Sequence, residues 1–173
     1  MKLFRNEADE EGRGSGFLKN LKIGDQAEFF GPAGEGSFVP KGGANDPLFL
    51  FGTGTGIAPL KALTEKLTQE KSPRPITLFL GVSHFEDIFY VEEFEKIKQE
   101  NPNFDFKIGV SRPKENYTGL KGRLPDVLEN TEIPQNVEVM VCGSVISVKG
   151  IKTKLLELGV AEERIDAEGF GDV

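Results

Sequence analysis

The sequence contains very little cysteine and histidine, and this scarcity excludes several kinds of chemistry. A single cysteine, Cys142, cannot form a disulfide framework, which indicates a reducing compartment and predicts a cytoplasmic location. A single histidine, His84, excludes a metal site built from several histidines and argues against a Ser–His–Asp or Cys–His catalytic arrangement. We therefore expect no metal site.

The chain also lacks a long apolar run and an excess of positive charge. No apolar run approaches the ~20 residues that a membrane-spanning helix needs, and the charged start is not typical of a signal peptide. Asp and Glu number 28 against 21 Lys and Arg, so nucleic-acid binding, which needs clustered cations, is not expected. With 173 residues, 38% of them apolar, the chain is long enough for one large or two small globular domains.

From about residue 47 onward, short apolar runs alternate with amphipathic stretches. This alternation predicts an α/β fold with a five-stranded, parallel, doubly wound sheet that binds ligands at the carboxyl ends of its strands. The predicted strands are PLFLF (47–51), ITLFLGV (76–82), FDFKIGV (104–110), NVEVMVCG (136–143) and RIDAEGF (164–170). Helices are predicted at 57–70, from Asp87 onward, around 124–130 and at 145–158.

The first 42 residues follow a different pattern. The stretches GRGSGFL (12–18), AEFFGP (27–32) and SFVP (37–40) combine glycine-rich turns with short strand-like runs. Such a pattern is typical of a fragment of an all-β fold. We therefore expect a short β-rich segment at 1–42, followed by a nucleotide-binding domain at 43–173.

The clearest chemical motif, FGTGTGIAPL (51–60), stands where a predicted strand ends and a helix begins. Free backbone N–H groups and the helix dipole meet at such a point, which suits a phosphate or pyrophosphate. Gly54 and Gly56 allow close backbone approach, and Thr55 adds a hydroxyl donor. Because Ile57 stands where a GxGxxG fingerprint has its third glycine, the motif is not that fingerprint. The alternative is a turn that only packs strand against helix.

A second group of residues follows the fourth predicted strand. Cys142 ends this strand, and Gly143 and Ser144 stand at the start of the next helix. All three are therefore expected at the same sheet edge as the glycine motif. An inert, packed cysteine is the alternative interpretation.

A third group follows the third predicted strand and is basic. Ser111 and Arg112 come directly after this strand, and Lys121 and Arg123 follow downstream. A hydroxyl group and a guanidinium group beside a nucleotide site suit a phosphate monoester, which arginine can bind with two hydrogen bonds. A solvated loop with ordinary surface cations is the alternative.

In this order, the motifs resemble the C-terminal nucleotide-binding module of the ferredoxin–NADP reductase superfamily. The resemblance covers residues 12–170, through GSGFL, GPAGEGSFVP, GTGTGIAP, LFLGV, YVEEFEKIK, VSR, VMVCGS and AEGF. It implies a pyrophosphate cradle at Gly54, Thr55 and Gly56, an adenosine-side turn at Gly81, Val82 and Ser83, and a nicotinamide site at Cys142, Gly143 and Ser144.

The resemblance also implies two catalytic residues. Cys142 would shape the nicotinamide pocket, and Glu168 would tune its polarity or relay a proton. Phe170 corresponds to the aromatic residue that lies near the flavin and nicotinamide rings in the family, although here three more residues follow it.

The flavin-binding barrel of the family is only partly matched. No Arg-x-Tyr stretch exists, since the only tyrosines are Tyr90 and Tyr117. The first 42 residues resemble the last third of the barrel, with a helix start at Gly14 and Ser15 that would face the flavin pyrophosphate. Either the chain is truncated, or a second chain, a flavin domain or another copy in a homodimer, completes the barrel. We expect the isolated chain to bind FAD weakly or not at all.

The implied function is an oxidoreductase that binds NAD(P)H and transfers hydride to a flavin. Electrons would then pass to an iron–sulfur protein such as a ferredoxin, or to a similar acceptor. NADPH is expected to be favoured over NADH, because Ser111 and Arg112 resemble the stretch that reads the 2′-phosphate in NADP-linked members. Glu86 or Asp87 would instead suit the ribose hydroxyl of NADH. A non-catalytic nucleotide-binding or regulatory subunit is the alternative.

Overall fold

A computed structural model describes residues 13–28, 30 and 38–170, and the chain forms two compact units, Met1–Gly36 and Ser37–Val173. Helix α1 (Arg13–Asn20) lies in the first unit. Residues 27, 28, 30 and 38–40 form no strand, which corrects the expectation of strands at 27–32 and 37–40 as far as the described residues reach. A strand requires a hydrogen-bonded neighbour, and the described residues supply none there. Phe29 and residues 31–37 lie outside the described part.

Six parallel strands form the sheet of the second unit, in the order β4-β3-β2-β1-β5-β6. They are β1 (Leu48–Thr53), β2 (Ile76–Val82), β3 (Phe104–Val110), β4 (Leu120–Lys121), β5 (Glu138–Ser144) and β6 (Ile165–Phe170). The predicted parallel sheet is confirmed, but its strand number is six rather than five. The additional strand, β4, is too short to leave a periodic signal and exists because it pairs with the end of β3.

Helices cover both faces of the sheet, which confirms the doubly wound α/β architecture. On one face, α2 (Ile57–Gln69) and α3 (Val91–Glu100) bury Leu60 and Phe94 against strand residues such as Leu50. On the other, α4 (Leu124–Leu128) and α5 (Val145–Glu157) bury Leu128 and Ile151. Within the described residues, no helix is long and apolar enough to cross a membrane.

The order of the strands reverses at β1. From this central strand the chain adds β2, β3 and β4 on one side, and then returns to add β5 and β6 on the other. The connections leaving β1 and β5 therefore run to opposite faces and leave a crevice at the carboxyl ends of these two strands. Parallel sheets bind ligands at such a switch point.

Candidate functional site

The glycine-rich turn, Gly54–Gly56, lies at this switch point between β1 and α2. Gly54 has a φ of 53°, and a Cβ atom there would meet nothing within 4 Å. Gly56 is enclosed, because a Cβ atom there would lie 2.7 Å from the Cα atom of Gly143. The turn therefore packs directly on the end of β5 through Gly56, and its Gly54 side faces open space that a ligand can enter.

Thr53, the last residue of β1, fills the space between the two neighbouring strand ends. Its side chain occupies the position that a Cβ atom on Gly143 would need, and its methyl group lies 3.3 Å from the corresponding position on Gly81. The contact of Thr53 with both strand ends depends on the pairing of β1 with β2 and β5, which local sequence does not predict. Thr53 thus fixes the spacing of the strand ends around the glycine turn.

Cys142 and Glu168 lie opposite each other at the ends of β5 and β6. Cys142 is only 4% exposed, whereas Glu168 is exposed. Burial, and secondarily the negative charge of Glu168, raise the pKa of the Cys142 thiol to about 11. At neutral pH the side chain is therefore an uncharged thiol, which can form a wall of a pocket but is a weak nucleophile.

We expect Cys142 to react slowly with iodoacetamide at pH 8. With a pKa of about 11, the thiolate fraction is roughly a hundredfold smaller than that of an ordinary cysteine thiol, and burial slows access further. The rate should keep rising up to about pH 11, as measured by mass spectrometry of the folded chain. The chain unfolded in guanidinium is the control, and a folded chain that reacts as fast as the unfolded one would contradict the assignment of a neutral thiol.

The remaining site residues predicted from the sequence lie in different elements of the structure. The backbone N–H of Ser147 donates to the Ser144 hydroxyl oxygen at 3.3 Å, so Ser144 caps α5. Phe170 lies opposite Ser144 in the β5–β6 pairing and is 44% exposed. Gly14 and Ser15 belong to α1 in the first unit, where Gly14 is exposed.

The loops after β2 and β3 are joined to each other at the same edge of the sheet. The Arg112 N–H donates to the carbonyl oxygen of Ser83 at 2.8 Å, and the Ser111 N–H donates to that of Val82 at 3.0 Å. Arg112 is exposed, and among the described residues no carboxylate forms an ion pair with it. The predicted residues Ser83, Ser111 and Arg112 therefore lie together, with a guanidinium group available for an anion.

The two acidic residues of the β2 loop are already engaged. Glu86 pairs with Lys114, and this hydrogen-bonded ammonium group lowers the pKa of the Glu86 carboxyl group. Asp87 accepts a hydrogen bond at 3.0 Å from the backbone N–H of His84 and so closes the turn. No local signal predicts the pair, because Glu86 and Lys114 are 28 positions apart in the sequence.

Lys121, in β4, and Arg123, shortly after β4, lie at the same edge of the sheet. Lys121 lies opposite Val110 in the β3–β4 pairing, and Arg123 immediately precedes α4. Both side chains are exposed, and neither forms an ion pair with any carboxylate in the described part of the chain. The basic residues predicted from the sequence, Arg112, Lys121 and Arg123, thus lie along one edge of the sheet.

A family model for the oxidoreductase NAD-binding domain matches residues 50–152. The chain belongs to this family. The matched span contains the glycine turn, the joined loops after β2 and β3, and Cys142 at the end of β5. The resemblance to the ferredoxin–NADP reductase superfamily is confirmed, and the chain is an NAD-binding oxidoreductase domain.

Curated relatives include one component of the Na(+)-translocating NADH-quinone reductase. The chain is 33% identical to this component from Methylococcus capsulatus over 165 residues, which cover 91% of this chain and 40% of that protein. It is also 33% identical, over 168 residues, to the same component from Pseudomonas aeruginosa, with 92% and 40% covered. The chain thus spans about 40% of the length of these relatives.

Two solved reductase structures share the fold of this chain. The cytochrome b5 reductase domain of Ulva prolifera nitrate reductase superposes with a TM-score of 0.79 at 19% identity, covering 97% of this chain and 71% of that one. A ferredoxin NADP+ reductase from Neisseria gonorrhoeae, solved with FAD and NADP, gives 0.71 at 23% identity, covering 92% and 70%. At these identities the likeness establishes the fold.

Proposed function

We propose that this chain supplies the pyridine-nucleotide site of a flavin-dependent NAD(P)H oxidoreductase whose electrons pass on to an iron–sulfur protein or a similar acceptor. The observation that carries the proposal is the turn at Gly54, which is open to a ligand at the switch point and followed directly by α2. The pyrophosphate would accept hydrogen bonds from the free N–H groups of this turn, stabilised by the dipole of α2.

The nicotinamide end would lie toward Cys142 and Glu168. NAD(P)H supplies the hydride when bound, and the protein supplies binding and orientation. The neutral, buried thiol of Cys142 provides an apolar wall, and the exposed Glu168 carboxylate provides a polar group opposite it. Glu168 would tune the polarity of the pocket or relay a proton, and Phe170 would lie close by.

The adenosine end would lie toward the joined loops after β2 and β3, and we propose that it favours NADPH. Arg112 has no carboxylate partner among the described residues, whereas Glu86 is engaged by Lys114. A free guanidinium group and an occupied carboxylate favour a 2′-phosphate over a ribose hydroxyl. Lys121 and Arg123 would add positive charge. The names of the curated relatives refer to NADH, so the two nucleotides must be compared directly.

Replacing Arg112 with alanine is expected to weaken NADPH binding tenfold or more and to leave NADH binding nearly unchanged. A charge-assisted hydrogen bond contributes about 1.5–3 kcal/mol, and only NADPH carries the phosphate that loses it. Fluorescence titration of both nucleotides measures the effect, with Lys96→Ala, an exposed cation on α3, as the matched control. Equal weakening for both nucleotides, or for neither, would show that Arg112 does not read the 2′-phosphate.

The alternative, a nucleotide-binding or regulatory subunit without redox activity, has one feature in its favour: the sequence contains no Arg-x-Tyr stretch for a flavin ring. NADPH-driven reduction of an artificial dye, measured with and without added FAD, separates the two functions. Activity of the chain would remove the binding-only function. Nucleotide binding without dye reduction, even when FAD or a separate flavin domain is added, would favour it.

A further inference from the structure

A buried ion pair lies at the opposite, amino end of the sheet from the nucleotide site. Arg74, just before β2, places its Nη2 atom 2.5 Å from the Oε2 atom of Glu138, the first residue of β5. Both side chains are buried, at 3% and 7% exposure. The Nε–H of Arg74 also donates to the carbonyl oxygen of Asp46 at 2.6 Å. Neither residue is needed for the nucleotide site, so their burial calls for a different explanation.

The Glu138 carboxylate accepts hydrogen bonds from two backbone N–H groups as well as from the Arg74 guanidinium. The N–H of Lys41 donates to its Oε1 atom at 2.7 Å, and the N–H of Gly42 donates to its Oε2 atom at 2.9 Å. Burial by itself raises the pKa of this carboxyl group, but these two N–H groups and the guanidinium outweigh it and leave the pKa below its usual value. A Cβ atom on Gly42 would lie 2.8 Å from Oε2, so the backbone approaches as closely as glycine allows.

The segment held in this way, residues 38–43 (the strap), continues to β6. Phe38 is buried in the same core cluster as Met140 and Cys142. Its N–H donates to the Oδ2 atom of Asp166 in β6 at 3.4 Å, and the Lys41 ammonium lies 3.8 Å from the same atom. The strap therefore contacts the strand that carries Glu168, and its Phe38 belongs to the core cluster that contains Cys142.

The last strand, β6, needs such support. It is at the edge of the sheet, with β5 as its strand neighbour, and its residues from Ala167 onward are exposed. Asp166 pairs with Met140, and two residues later Glu168 pairs with Cys142 on the same face. Edge strands with few buried contacts open most readily, so a tie at Asp166 limits the movement of Glu168.

We propose that Glu138 and Arg74 clasp the strap, and that the strap, through Phe38 and Asp166, positions Glu168 beside Cys142. Glu138, Arg74 and Asp166 are thus positioning residues. The inference rests on the proposed function only in taking Glu168 and Cys142 as neighbours of the nicotinamide.

The test replaces Glu138 with glutamine in the full chain and measures two quantities without nucleotide. Amide hydrogen exchange at Lys41 or Gly42 should become at least about tenfold faster, because glutamine keeps one acceptor oxygen but replaces the other with an NH2 donor and removes the negative charge. Alkylation of Cys142 at pH 8 should also become about tenfold faster, because a displaced Glu168 and a loosened Phe38 no longer disfavour the thiolate. Glu129→Gln, which removes an exposed pair with Lys154, is the matched control and should change neither quantity.

Each other result overturns part of the proposal. Unchanged exchange at Lys41 and Gly42 would exclude the clasp, and faster exchange with unchanged alkylation would exclude the positioning of Glu168. If Glu138→Gln does not fold, the variant Asp166→Ala on the half-buried edge strand replaces it in the test. The only measurement is then the rate of Cys142 alkylation. A faster rate supports the positioning of Glu168, and an unchanged rate excludes it. Failure of the unmodified chain to bind NAD(P)H would remove the proposed function while leaving both of these readouts interpretable.

Discussion

Replacing Gly54 with valine is expected to weaken binding of both NADPH and NADH by a hundredfold or more. Gly54 has a φ of 53° and faces open space at the switch point, so a branched side chain would occupy the volume proposed for the pyrophosphate. Loss of two charge-assisted hydrogen bonds, at about 1.5–3 kcal/mol each, corresponds to at least this factor. Titration of each nucleotide by fluorescence or calorimetry measures the effect.

The matched control for Gly54→Val is Gly159→Val. Gly159 also has a positive φ, 87°, and open space around the Cβ position, but it follows α5, whose first residue and not its last lies beside the nucleotide site. Both variants carry similar backbone strain, about 1–2 kcal/mol. Weakened binding in Gly54→Val alone supports the cradle. Equal binding in both folded variants would refute it, and equal loss in both would attribute the effect to strain.

Replacing Arg74 with methionine is expected to lower the free energy of unfolding by about 3–5 kcal/mol, because the Glu138 carboxylate stays buried without its cationic partner. For a chain of this size the melting temperature should fall by roughly 6–20 °C, as measured by calorimetry or circular dichroism. The double variant Arg74→Met/Glu138→Leu should recover part of this loss, because it leaves no buried charge, although the N–H groups of Lys41 and Gly42 lose their acceptors.

The control for this stability prediction is Lys154→Met. Lys154 forms ion pairs near the surface with Glu129 at 2.8 Å and Glu157 at 3.5 Å, where each such pair contributes only about 0–1 kcal/mol. A loss of stability in Arg74→Met no larger than in Lys154→Met would mean that the buried pair is not an important source of stability. Comparison of the single and double variants distinguishes the effect of the buried charge on stability from the effect of side-chain volume, since the double variant retains apolar volume while removing both charges.

Much of the fold could be predicted from the sequence because its signals are local. Apolar runs that end in glycine or polar residues marked five of the six strands, and the amphipathic stretch at 57–70 marked α2. The prediction failed at residues 27, 28, 30 and 38–40, where the described part of the chain offers these strand-like runs no strand to pair with. It also missed β4, whose two residues form a strand only because β3 lies beside them.

The order of residues along the chain was sufficient to predict the parallel sheet, the position of the glycine turn and the sharing of one sheet edge by Cys142 and Arg112. Parallel strands necessarily end at the same edge, so no knowledge of distant contacts was needed for these features. The pairing of charged side chains, in contrast, depends on the folded chain. Glu86 meets Lys114, Glu138 meets Arg74, and burial raises the pKa of Cys142 to about 11. Charge pairing and desolvation depend on which distant residues come into contact in the folded chain, and local sequence patterns do not predict those contacts.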